Sequence, residues 1–119
     1  MSKKVVVIDD EADVRAFVVA VLKKNGYETA TASNGSEGLE VVKREHPDLV
    51  ILDLMMPNQS GTDFYRNLSQ NKELSHIPVI IVSGLPGRHL AVKKPAAVFD
   101  KPINPPDFIA AVEKALAEE

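Results

Sequence analysis

The chain reads as one α/β domain of five βα units, with a parallel five-stranded sheet of order 2-1-3-4-5 and helices on both faces. Two observations predict this. Short, continuous apolar runs alternate along the chain with longer stretches that repeat at helical spacing, the pattern of right-handed βαβ units. The runs also differ in strength. The first, third and fourth are solidly β-branched or aliphatic, as strands buried on both faces must be, whereas the second and fifth are weaker and belong at the edges. The order 2-1-3-4-5 satisfies both constraints.

In chain order, Val5-Val6-Val7-Ile8 is the first strand. Val14, Phe17, Val18, Val21 and Leu22 then fall on one stripe of a helix that Asn25-Gly26 ends. Tyr27 to Thr31 reads as the second strand. Ser33-Asn34-Gly35 is a turn into a helix that runs to about Glu45, and His46-Pro47 stops it. Leu49-Val50-Ile51-Leu52 is the third strand and ends on Asp53; Met56 to Gly61 is a loop, and the next helix carries Phe64 and Leu68. Pro78 opens the fourth strand, Val79-Ile80-Ile81-Val82, which ends on Ser83. Pro86, Gly87 and Pro95 make the fourth helix short or irregular. Ala96-Ala97-Val98-Phe99 is the fifth strand, ending near Lys101. A last helix from about Pro105 buries Phe108, Ile109, Val112 and Leu116.

The length of 119 residues fits a single domain, residues 1–119, with a core large enough to fold without staples. There is no cysteine, so disulfides and thiolate metal sites are excluded. Met1-Ser2-Lys3-Lys4 leads straight into a short apolar run and does not read as a secretion signal. No apolar stretch approaches the roughly 20 residues that span a bilayer, so neither membrane insertion nor export is expected, and the cytoplasm is the expected compartment. A net charge of −3 gives no footprint for direct nucleic-acid binding. Arg88, His89, Lys93 and Lys94 form a local basic patch that reads as a solvated face.

The charge is concentrated. Asp9, Asp10, Glu11 and Asp13 put four acids into five residues directly after the first strand. An acidic first helical turn has an ordinary explanation in the helix dipole, and Asp53, Ser83 and Lys101 could each be common strand exits. Their joint placement is the signal. Asp9 and Asp10 follow strand one, Asp53 follows strand three, Ser83 strand four and Lys101 strand five. In open α/β sheets ligands bind beyond the carboxyl ends of the strands, where the strand order reverses, and here strands one and three flank that point. Adjacent carboxylates repel unless a hard cation sits among them, and Mg²⁺ prefers such oxygen donors together with phosphate oxygens. A carboxylate can also act as a nucleophile and form an aspartyl phosphate. Ser83 can donate a hydrogen bond, and Lys101 a positive charge, to a phosphoryl group.

With VVVIDDE (residues 5–11), LVILDLMMPNQSG (residues 49–61), VIIVSG (residues 79–84) and DKPI (residues 100–103) in view, the chain resembles the receiver domains of response regulators over essentially its whole length. The resemblance implies a flavodoxin-like fold and a two-component signalling switch rather than a turnover enzyme. It implies that Asp53 accepts a phosphoryl group from a sensor histidine kinase or a phosphotransfer protein. It implies that Asp10, Asp53 and the Met55 backbone carbonyl ligate Mg²⁺, with Asp9 assisting through water. Ser83 and Lys101 are implied to sense the phosphoryl group, so that a surface of helix four, strand five and helix five changes its affinity for a downstream protein.

Three features depart from the family pattern. Val98 stands where receivers usually carry an aromatic residue; Phe99 is one place later and, by strand alternation, faces the core. The 18 positions from Ser83 to Lys101 are fewer than is usual. Gln59 replaces an apolar loop residue. These leave the phosphorylation site intact and bear on the output face.

Other readings fit less well. A phosphohydrolase of the haloacid dehalogenase type places a second Asp two residues after its nucleophile, where this chain has Met55. A flavodoxin-like FMN carrier needs a hydroxyl- and glycine-rich phosphate loop after strand one, where DDEAD would repel phosphate. A pseudo-receiver that only binds a partner would not need all five site residues.

Overall fold

A computed structural model describes residues 3–53, 60–83, 97–100 and 103–117, with Ser83, Val98 and Asp100 described by their backbone alone. Its elements are β1 (Lys4–Ile8), α1 (Ala12–Lys24), β2 (Glu28–Ala32), α2 (Gly35–Glu45), β3 (Leu49–Asp53), α3 (Ser60–Gln70), β4 (Val79–Ser83), β5 (Ala97–Asp100) and α4 (Pro105–Ala117). The helix expected between β4 and β5 lies outside the described residues, so α4 is the C-terminal helix.

The sheet is parallel throughout and ordered β2-β1-β3-β4-β5. Alternation along the central strands sends side chains to two separate cores. Val5, Val7, Leu49, Ile51, Ile80 and Val82 pack with Val18 and Leu22 of α1 and with Phe108 and Val112 of α4. Val6, Ile8, Val50, Leu52, Val79 and Ile81 pack with Val41 and Val42 of α2 and with Phe64 and Leu68 of α3. Apolar residues on both faces of β1, β3 and β4 therefore require two helical layers.

Local sequence sets the helix ends. Asn34 caps α2 by accepting the Glu37 amide at 2.8 Å, and the Glu37 carboxylate accepts the Ser33 amide at 3.1 Å. Asn104 accepts the Asp107 amide at 3.2 Å ahead of α4, with Pro105 in the first-turn position where its missing N–H is harmless. A Cβ on Gly35 would collide with the Ser60 carbonyl, so glycine lets the starts of α2 and α3 meet. The Gly35 amide also donates to Ser60 Oγ.

Several sequence expectations need correction. Phe17, placed on the buried stripe of α1, is 45% exposed, whereas Val18 and Leu22 are buried. The stripe drawn at helical spacing was wider than the face the sheet covers. Ser60 and Gly61, assigned to a loop, form the first turn of α3. The second strand is shifted by one residue, because Ala32 is buried in it while Tyr27 precedes it. In α4, Ile109 and Leu116 only border the core, and Ala115 is buried. Phe99 does face the core, with its ring set edge-on to Phe108 at 5.9 Å between centroids.

At the amino ends of the strands, Lys4 Nζ meets Glu45 Oε1 at 2.8 Å, and the Lys4 amide donates to Asp48 Oδ2 at 2.9 Å. The Lys4 ammonium, aided by Arg44, holds the Glu45 carboxyl below its ordinary 4.5. A carboxyl whose folded value is lowered contributes stability above its unfolded value and loses it as pH falls through the folded one. Glu45→Gln should therefore reduce stability slightly near neutral pH and converge with the wild type in acid. Urea melts of both proteins from about pH 7 to about pH 3 check this.

Candidate functional site

β1 and β3 are neighbours with Ile8 opposite Leu52, so the chain leaves both strands at the same height, on Asp9 and on Asp53. Asp53 is itself paired with Val82 of β4 and is 1% exposed; Asp9 is 3% exposed. Asp10 and Glu11 continue from Asp9 toward α1 and are exposed. One carboxylate oxygen from each of Asp9, Asp10, Glu11 and Asp53 lies within 4.8 Å of the others.

The β1–α1 turn that carries three of these acids is tightly held. The Asp9 amide donates to the Ala32 carbonyl at 3.2 Å, tying the turn to the end of β2. Asp9 Oδ1 accepts the Glu11 amide at 2.9 Å, which orients that carboxylate. The Asp9 carbonyl accepts Arg15 Nη1 at 2.6 Å. Glu11 is the N-cap of α1 without a side-chain cap bond, and its carbonyl accepts the Arg15 amide at 3.0 Å.

Four carboxylate oxygens this close would suit a small, hard cation such as Mg²⁺, which prefers oxygen donors. Asp9, Asp10 and Asp53 of the sequence-derived site are brought together as expected. Glu11 joins them, which the sequence reading counted as an acid and not as a site residue; its signal was its place in the acidic run directly after Asp10. Ser83 ends β4 one residue beyond the Asp53–Val82 pair, with its backbone opposite Asp100 of β5. Met55 and Lys101 lie outside the described residues. A groove of about 670 Å³ runs from Asp10 between α2 and α3, lined by Ser33, Asn34, Ser60, Asp63 and Asn67. Among the described residues no helix is long and apolar enough to cross a membrane.

A doubly wound parallel sheet with a carboxylate cluster at its strand-order reversal defines a small α/β domain whose ligand crevice is acidic. The family is resolved by comparison. The model of the response regulator receiver domain matches residues 5–113, and the chain belongs to that family, a component of two-component signal transduction. It is 31% identical over 117 residues to Protein Rrf1 of Nitratidesulfovibrio vulgaris, covering 98% of this chain and 85% of that protein. It is 32% identical to the polar-differentiation response regulator DivK of Brucella ovis, covering 99% of each. Among solved structures, a response regulator receiver domain protein from Clostridium thermocellum superposes with a TM-score of 0.87 at 32% identity, covering 98% of this chain and 95% of that one.

Relief of carboxylate repulsion generates a prediction at Asp10. Asp10→Asn removes one like charge and one candidate metal donor together. Its Mg²⁺ dissociation constant should rise roughly tenfold or more, while the metal-free protein melts a few degrees higher. Calorimetric Mg²⁺ titration and thermal melts in chelator check the two signs separately.

Proposed function

We propose that Asp53 is the phosphoacceptor of this receiver domain and that Asp10, Asp53 and the Met55 carbonyl hold Mg²⁺, with Asp9 assisting through water and Glu11 beside them. The observation that carries this reading is the buried Asp53 at the end of a central strand, with oxygens of Asp9, Asp10 and Glu11 gathered around it. An Asp53 carboxylate oxygen attacks phosphorus of a phosphohistidine on a sensor kinase or phosphotransfer protein. The O–P bond forms, the N–P bond breaks, and the departing imidazole nitrogen takes up a proton. Bound at this site, Mg²⁺ supplies positive charge against the phosphoryl oxygens. Ser83 donates a hydrogen bond to the transferred group and Lys101 its positive charge. Hydrolysis later returns Asp53 and inorganic phosphate, so the domain is a signalling switch rather than a turnover enzyme, acting in the cytoplasm.

Its output is a change in affinity for a downstream protein at the surface of β5, α4 and the helix that the sequence places between β4 and β5. Val98 is β-branched and short, with little χ1 freedom, so switching proceeds without an aromatic rotamer change at that position.

Incubation with a small phosphodonor and Mg²⁺ should add the mass of one phosphoryl group to the wild type and none to Asp53→Ala. Intact-mass measurement decides it, and a gain persisting in the mutant would falsify the assignment.

Phe17 extends this to the donor. It is a large apolar side chain left exposed on α1, the helix that begins beside Asp10. Exposed aromatics of this kind anchor protein interfaces. Phe17→Ala should slow phosphotransfer from a protein donor by about tenfold or more and leave phosphorylation by a small donor unchanged; parallel rate measurements with the two donors test this.

A further inference from the structure

We infer that Arg15 is a positioning residue of the phosphoryl-transfer site, acting through the backbone of the β1–α1 turn; this rests on the reading of Asp10 and Asp53 as the metal-binding, phosphoaccepting pair. Arg15 holds the turn at two points. Its guanidinium Nη1 donates to the Asp9 carbonyl at 2.6 Å, and its own amide donates to the Glu11 carbonyl at 3.0 Å. The Asp9 carbonyl belongs to the peptide unit that leads into Asp10, so the guanidinium fixes that unit, whereas the amide bond is the ordinary first-turn bond of α1. The side-chain bond is charge-assisted, and such bonds are shorter and stronger than neutral ones.

This tie has a physical task. Oxygens of Asp9, Asp10, Glu11 and Asp53 lie within 4.8 Å of one another, and like charges so close push the exposed members outward. Asp53 and Asp9 are held by burial at the ends of β3 and β1. Asp10 is exposed, on a turn outside the sheet ladder, and is the member most able to swing away. By fixing the Asp9–Asp10 peptide unit, Arg15 keeps the Asp10 carboxylate beside Asp53 before any cation arrives. Metal binding then meets a formed site and does not have to order the turn.

Charge and position make opposite predictions here. Arg15 is itself a cation near a cation site, so if it acted by charge alone, removing it would tighten Mg²⁺ binding. If it positions the turn, removing it weakens binding. Mg²⁺ dissociation constants are measured by titration calorimetry for the wild type, Arg15→Ala and Arg15→Lys, with far-ultraviolet circular dichroism to confirm folding. Phosphorylation rates by a small phosphodonor are followed against Mg²⁺ concentration. Arg15→Ala should bind Mg²⁺ about tenfold more weakly. Arg15→Lys keeps charge and reach but loses the rigid fork, and should fall between, at roughly threefold. Half-saturating Mg²⁺ for phosphorylation should shift in parallel, while the rate at saturating Mg²⁺ stays near wild type. A folded Arg15→Ala that binds Mg²⁺ as tightly as the wild type, or more tightly, overturns the assignment. If Arg15→Ala does not fold, wild-type affinity in Arg15→Lys overturns it equally. A wild type that neither binds Mg²⁺ nor accepts phosphate would instead overturn the underlying reading of the site.

Discussion

The crowding of carboxylates at the carboxyl ends of β1 and β3 is the constraint on which the rest of the structure depends. Asp9 and Asp53 are adjacent because the parallel register of two central strands brings them to the same height, and both are almost wholly buried there. Placing acidic groups close together in a poorly solvated position opposes folding. The opposing contribution comes from below, where apolar side chains alternate into two helical layers on either side of the same strands. Each methylene buried there stabilises by about 0.8 kcal/mol, enough in aggregate to hold a locally unfavourable arrangement. A cation held among these carboxylates would offset part of that cost.

The site is assembled from parts held with different firmness. Asp53 belongs to a strand with a partner on each side. Asp9 sits just past a strand and is fixed through its amide, its carbonyl and its carboxylate. Asp10 and Glu11 are on an exposed turn. This gradient suits the proposed switch, in which Asp53 stays in place while the exposed acids adjust around it. The starts of α2 and α3 are likewise joined at Gly35 and Ser60.

Much of this was legible in the sequence, for identifiable reasons. Continuous β-branched runs announce strands covered on both faces, and the contrast between strong and weak runs orders the sheet, because edge strands need less apolar surface. Asp9, Asp10 and Asp53 could be brought to one site once the order was known, since a strand end is a topological coordinate. Other features depend on magnitudes that periodicity does not carry. Phe17 lies on the apolar stripe of α1, but how much of that stripe the sheet covers is set by helix rotation. Ser60 and Gly61 looked like loop residues by composition, yet the hydroxyl serves as the acceptor for the Gly35 amide and the glycine is buried in the first turn of α3. Glu11 was visible as a charge; that its carboxylate reaches the others requires the path of the turn. Arg15 gave no signal, because its partner is a backbone carbonyl, and backbone acceptors leave no trace in a sequence.

The position of Phe99 shows how a one-residue displacement redistributes mechanical roles in such a domain. A strand sends successive side chains to opposite faces, so an aromatic at 99 lies on the other side of β5 from one at 98. Here it lies on the α1/α4 side, its ring against Phe108 in the first turn of α4. Phe99 is partly buried, so this aromatic pair links β5 to the start of α4 at the border of that core. β5 is coupled to β4 through the ladder that sets Val82 opposite Phe99 and Ser83 opposite Asp100. Ser83 follows directly on the residue paired with Asp53. The chain of contacts from the acidic cluster to α4 thus runs through strand pairing and one aromatic pair at the border of the core, whereas an aromatic at 98 would lie on the opposite face.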